Sequence, residues 1–301
     1  MLHVGIRGSL LAAGTLCVAL AFGASTQVAA AEDPVIVVTG RTPEATQRFI
    51  EQVSVAPATA EQLARWDHSI CTAIAGLPQR QAEFIANRIA QRANAVGLTP
   101  GAPGCVPNVS VIVTAESDQA AQRMFAENGA LFAFQQSSNV TTLDQSSLND
   151  FLHTPRAVRW WHVAERMSAD GMALSGDASQ GGMMNAPSAR SAGSRLQSDT
   201  RQDLNRAIII VDARRVGSVQ LAALADYISM VALAQINPNA EVRGYPTILS
   251  LFSQRSASDP APTAMTEWDI GFLDGLYHAT RNAHSVQQQR FEIVQRMLPG
   301  R

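Results

Sequence analysis

A chain of 301 residues with 46% hydrophobic content can fill a sizeable core, as one large domain or two small ones. Its 23 basic side chains against 25 acids leave no basic footprint for nucleic acid and no polybasic patch for a membrane surface. All 23 are arginine, so chemistries that need a lysine amine are excluded: Schiff bases, pyridoxal attachment, Walker-type phosphate binding and Ser-Lys nucleophiles.

Residues 1–31 read as a secretory signal peptide. Arg7 lies in a short n-region, a largely apolar run goes from Leu10 to Phe22, and Ala29-Ala30-Ala31 precede Glu32-Asp33-Pro34. The run is shorter than the ~20 apolar residues of a membrane span. The expectation is cleavage after Ala31 and an exported protein, periplasmic or secreted, with no span once the signal is gone. Cleavage removes Arg7 and no acid, leaving 22 arginines against 25 acids. Cys17 follows Leu16, where a lipoprotein signal wants a small residue, so Cys17 leaves with the signal. Cys71 and Cys105 remain. Two cysteines in an oxidising compartment read as one disulfide, which on the loop-entropy model stabilises by roughly 3–4 kcal/mol.

Residues 32–57 are expected to form an extended arm or edge strand, because Val35-Ile36-Val37-Val38 is a short apolar run bracketed by Pro34 and Pro43. The segment Glu61–Ala75 carries Trp66, Asp67, His68 and Cys71. Gln79–Val96 reads as a helix, with Ile85, Ile89, Ala93 and Val96 at helical spacing and Gly97 as a stop. A Pro/Gly loop over 99–104 delivers Cys105. Val109–Thr114 is a buried strand, and Ser117 can cap a helix ending near Asn128-Gly129. A short helix from Ser147, a break at Pro155 and a strand through Val158–Val163 follow.

Residues 168–200 are rich in Ser, Gly, Ala and Met and are expected to be a disordered insertion. Ile208–Val211 is a second buried strand, read as a neighbour of Val158–Val163 in one sheet. The alternative, a linker between two domains near residue 185, would leave the second half with few strands. Val219–Ile236 is a strongly apolar helix ended by Asn237-Pro238, and Thr247–Phe252 is a short helical turn. Thr266 and Asp269 have capping-box spacing before a helix with Phe272, Leu276 and Tyr277 on one face. Ser285–Leu298 closes the chain as a glutamine-rich helix. The sum over 58–301 is one α+β domain: a small sheet, five or six helices, one disulfide and the disordered insertion.

Recognisable catalytic motifs are missing. No G-x-S-x-G elbow occurs, and Gly176-Asp177-Ala178-Ser179 falls in the expected disordered stretch. His68, His153, His162, His278 and His284 include no pair at i, i+4, so no metal site is expected. Asp269 and Asp274 are the best paired carboxylates of the C-terminal half, but the first has a capping role and the second suits a solvated helix face. No G-x-G-x-x-G follows a strand, and no cofactor is expected. The leading reading is an exported globular protein with a non-catalytic binding or structural role, Trp160-Trp161 beside the disordered insertion being its binding feature. The rival is a divergent hydrolase gathering Asp226, Tyr227, His162 and Asp269.

Three resemblances bear on these readings. The strand, apolar helix and Pro246-Thr247-Ile248-Leu249 turn over 206–252 resemble the middle of a zincin metalloprotease. On Ala225–Ala234 the ligand positions would be Asp226 and Met230 and the general-base position Tyr227, so the resemblance implies a degenerate scaffold without the family's mechanism. Val35-Ile36-Val37-Val38-Thr39-Gly40 resembles the segment near the mature start of TonB-dependent outer-membrane receptors. That implies a periplasmic protein partner met by strand addition through Val35, Ile36, Val37 and Val38, although the barrel strands of those receptors are missing here. As a whole the chain looks like uncharacterised secreted proteins of Gram-negative bacteria, on Trp66-Asp67, Cys71, Gly97-Leu98, Cys105-Val106-Pro107-Asn108 and Tyr227–Gln235. This last likeness implies no activity.

Overall fold

The computed structural model describes residues 41–57, 59–133, 139–174, 197–253 and 260–298. The expected signal peptide with its expected cleavage after Ala31, Val35–Val38 and residues 175–196 lie outside the described residues.

The fold is α+β. Its five strands are β1 Thr72–Ala75, β2 Val109–Thr114, β3 Val140–Thr141, β4 Val158–Ser168 and β5 Thr200–Asp212, in the spatial order β1-β2-β5-β4-β3. β1, β2 and β5 run parallel, whereas β4 is antiparallel to β5 and β3 to β4. The two strands read from Val158–Val163 and Ile208–Val211 are neighbours, as expected, but both extend further. Central β5 is buried on both faces from Ala207 to Asp212, which is why its sequence is a continuous apolar run.

Seven α-helices flank the sheet among the described residues, against the five or six expected: α1 Pro43–Val53, α2 Gln79–Ala95, α3 Ser117–Asn128, α4 Gln145–His153, α5 Leu221–Leu233, α6 Glu267–His278 and α7 Val286–Met297. α1 corrects the reading of 32–57 as an extended arm or edge strand. Thr42 caps it, Pro43 suits its first turn, and Thr46, Phe49, Ile50 and Val53 bury one stripe. The larger core packs α1, α2, α5, α6 and α7 on one face of the sheet, through residues such as Phe49, Ile89, Ile228, Phe272 and Ile293. The smaller core places Ala121 of α3 and Phe151 of α4 against Trp161, Val163, Ile208 and Ile210 on the opposite face.

Two boundaries move for stated reasons. Glu116, not Ser117, is the cap residue of α3, because the Ser117 hydroxyl donates to Asp212 Oδ2 at 2.7 Å. The flanks of the expected disordered insertion 168–200 are structured: Ser168 pairs with Thr200, Met167 bridges Ala173, and Gln197 bridges Ala283.

α5 stops at Leu233 because its C-terminal carbonyls find side-chain donors in the core. His162 Nε2 donates to Val231 O at 2.8 Å, Trp66 Nε1 to Ala232 O at 2.8 Å, and the Tyr277 hydroxyl to Leu233 O at 2.6 Å. A buried helix end leaves orphan carbonyls, and these three residues satisfy them. Arg65 does the same for α6, with Nη1 on Leu276 O and, at 2.8 Å, on Ala279 O. Its positive charge also suits the negative end of that helix.

The disulfide Cys71–Cys105 is present, with Cα atoms 6.0 Å apart across 34 positions. It ties the entry to β1 to the loop before β2. Gly101 is required beside it, since a Cβ there would lie 2.6 Å from Cys105 Sγ. No helix among the described residues is long and apolar enough to cross a membrane.

Candidate functional site

The parallel strands β2 and β5 end at Thr114 and Asp212, and antiparallel β4 begins beside them at Val158. Crevices outside the carboxyl ends of such strands are where open sheets of this kind hold ligands. A cleft lies there, made of two hollows of about 310 and 170 Å3. Both are lined by Arg156, Trp160, Tyr227, Pro238 and Phe252, and Arg215 joins the larger.

Each wall residue is placed by its element. Arg156 follows Pro155 at the turn into β4; its guanidinium donates to Pro238 O at 2.7 Å and to Asp150 Oδ2 at 2.8 Å. Arg215, just beyond β5, is held at 2.6 Å from Asp212 Oδ2 and 2.8 Å from Asp118 Oδ2. Burial pushes the Asp212 carboxyl up, but hydrogen bonds from Ser117 and the backbone of Arg215 and Arg214, with the Arg215 charge, hold it net below its ordinary value. It is therefore an ionised anchor. Trp160, Tyr227 and Phe252 form an edge-to-face series, with centroids 6.1 and 5.1 Å apart. Trp160 Nε1 is tied to Ile236 O at 2.9 Å. The Tyr227 phenol is pushed up by burial, with the nearby Arg156 charge opposing, and so stays protonated.

The sequence-predicted residues divide around this cleft. Trp160 and Trp161 are not one surface, because successive strand residues point to opposite faces. Trp160 walls the cleft. Trp161, 2% exposed, packs in the smaller core and donates to Phe132 O at 3.1 Å. Along β4, Trp160 lies eight positions from Ser168, where the expected insertion starts, roughly 26 Å at strand rise.

The four proposed hydrolytic residues are all buried, and no hydrogen bond or ion pair joins any two of them among the described residues. Asp226 is fully buried and ties α5 to α2. Arg92 donates to both of its oxygens, Arg88 to Oδ2, each at 3.0 Å, and the Met265 N–H adds 2.9 Å. Burial raises its carboxyl, and these donors outweigh that, leaving it below the ordinary range. Met230, the other zincin-like ligand position, is fully buried in the apolar core. His162 is spent on Val231 O, its ring pulled down to about 4 by burial. Asp269 does fill the expected capping box and also accepts from Ile248 N at 2.8 Å, joining α6 to the 3-10 turn Ile248–Phe252. Asp274 pairs with Arg296 and His278 on the outer face of α6. Of the four, Tyr227 alone opens into the cleft.

Sequence reading missed Arg156, Arg215, Pro238 and Phe252 as a group. Pro155-Arg156 at the strand entry and Phe252 at the end of the short turn are visible, but nothing in the spacing brings them together. No family model, curated protein or solved structure matches the chain.

Proposed function

We propose that this is an exported protein, periplasmic or secreted, that binds a small molecule in the carboxyl-edge cleft and performs no chemistry on it. One observation carries the reading. The Tyr227 side chain lines a cleft walled by Trp160, Phe252 and Pro238, and among the described residues no hydrogen bond engages its hydroxyl. Apolar walls with a few convergent polar groups are how small-molecule sites are built. The disulfide and the signal-like N-terminus support export.

A hydrolase needs a general base free to reach its substrate. Asp226 and Asp269 have their oxygens occupied by protein donors, and the His162 ring is turned onto a helix end.

The test is a thermal-shift screen of protein recovered from a periplasm, against small acids, amines and neutral aromatics. A ligand present at a hundred times its Kd adds about 2.7 kcal/mol of stability. The expected result is that one chemical class raises Tm in the wild type and fails to do so in Phe252→Ala. If no class raises Tm, or if chromogenic esters or glycosides are turned over in a Tyr227-dependent way, the reading is wrong.

A further inference from the structure

We infer that the ligand of this cleft is a small aromatic carboxylate, its ring against Phe252 and Trp160 and its carboxylate facing Arg215, Arg156 and the Tyr227 hydroxyl. This rests on the binding reading above and adds the chemical class.

The charge distribution of the walls is the first support. Two guanidinium groups line the larger hollow, and among the described residues no carboxylate lines either one. The acids that pair with the arginines, Asp150, Asp118 and Asp212, are outside both linings. They hold the guanidinium forks in place while the ligand meets the positive side. A fixed fork loses little freedom when a carboxylate docks. Arg156, with Nη1 on Pro238 O and Nη2 on Asp150 and Asn239, contributes its charge. Arg215, with Nη1 and Nη2 on Asp118 and Asp212, has Nε to offer. Arg215 remains about a third exposed despite its two ion pairs, so donors remain within reach.

The second support is the phenol. A protonated Tyr227 hydroxyl can donate to an anion, and among the described residues no protein acceptor engages it. The third is shape. The ring series Trp160–Tyr227–Phe252 offers edge-to-face partners for one more flat ring. Hollows of about 310 and 170 Å3 suit a single ring with a short acid arm, at the low end of ligand-site volumes. Inorganic phosphate would satisfy the arginines and leave the aromatic wall unused.

The experiment is calorimetric titration of the whole exported chain with benzoate and cinnamate, their amides benzamide and cinnamamide, and inorganic phosphate, each to millimolar concentration. The expected result is that an acid binds at least tenfold more tightly than its amide, since the amide loses the charge-assisted bonds. Tyr227→Phe should weaken the acid about tenfold while leaving its amide nearly unchanged. That variant keeps the ring packing and removes a hydroxyl that no protein group uses among the described residues, so its fold is retained. Phe252→Ala should weaken acid and amide alike. Amides that match their acids overturn the anion class and leave the binding reading standing. Phosphate binding without the acids overturns the aromatic part. If neither acids nor amides bind, this inference fails, and the amines and neutral compounds of the thermal-shift screen decide the binding reading separately.

Discussion

Mild acid should destabilise this protein through one residue, His162. The ring is buried in the sheet–helix interface, 4% exposed, and its Nε2–H caps Val231 O at 2.8 Å. Burial pulls its pKa from 6.5 down to about 4, only partly offset by the bond to Val231. In the unfolded chain the ring takes its proton near 6.5. Between those values the unfolded state binds more protons, so the stabilisation is fully present above about 6.5 and is lost as pH falls toward 4. Over the whole window this amounts to about 3 kcal/mol, and by pH 5 to about 2 kcal/mol. His162→Gln keeps an N–H donor near the Nε2 position and cannot titrate. Urea unfolding of both proteins at pH 7.5 and pH 5 should show the wild type losing about 2 kcal/mol more than the variant. Asp203 and Asp269, raised by burial, act in the opposite sense, and both proteins share them. Equal acid losses in the two proteins would refute the assignment.

Other perturbations separate structural from functional roles. Asp226→Ala removes a carboxylate held by Arg88 and Arg92, and breaking such a pair should cost about 3–5 kcal/mol in denaturant unfolding. The same loss appearing only in ligand binding would contradict its role as a tie between α2 and α5. Trp161→Ala should cost about 3–5 kcal/mol and leave the ligand affinity of the folded fraction unchanged, because the ring lies in the smaller core. The Cys71→Ser, Cys105→Ser double variant should lose about 3–4 kcal/mol, read as a drop in Tm, for a loop closed across 34 positions. Reductant should lower the Tm of the wild type and not that of the variant.

Local rules carried much of the fold. The apolar runs marked the buried strands: the bounds Val109–Thr114 match β2, and Ile208–Val211 is the heart of β5. The capping box at Thr266 located α6, and the glutamine-rich stretch from Ser285 located α7. The cysteine count gave the disulfide. What failed was information that a linear pattern does not hold. α1 was hidden because the β-branched run at 35–38 outweighed the Thr42-Pro43 start signal just after it. Trp160-Trp161 looked like a unit, yet the two-residue period of a strand sends the rings to opposite cores. His162 looks like chemistry in a sequence, but with Trp66 and Tyr277 it is a donor for the end of one helix. The cleft joins positions 156, 215, 227, 238 and 252, and only the β4–β5 pairing and the return of the chain after α5 bring these side chains together.

The cleft claim is tested most directly by the indole 15N–1H spectrum, because the chain has four tryptophans and Trp160 alone lines the cleft. Titration with cinnamate should move the Trp160 resonance, assigned by Trp160→Phe, while those of Trp66, Trp161 and Trp268 stay in place. A spectrum in which Trp160 does not move, or in which all four move together, would contradict the account.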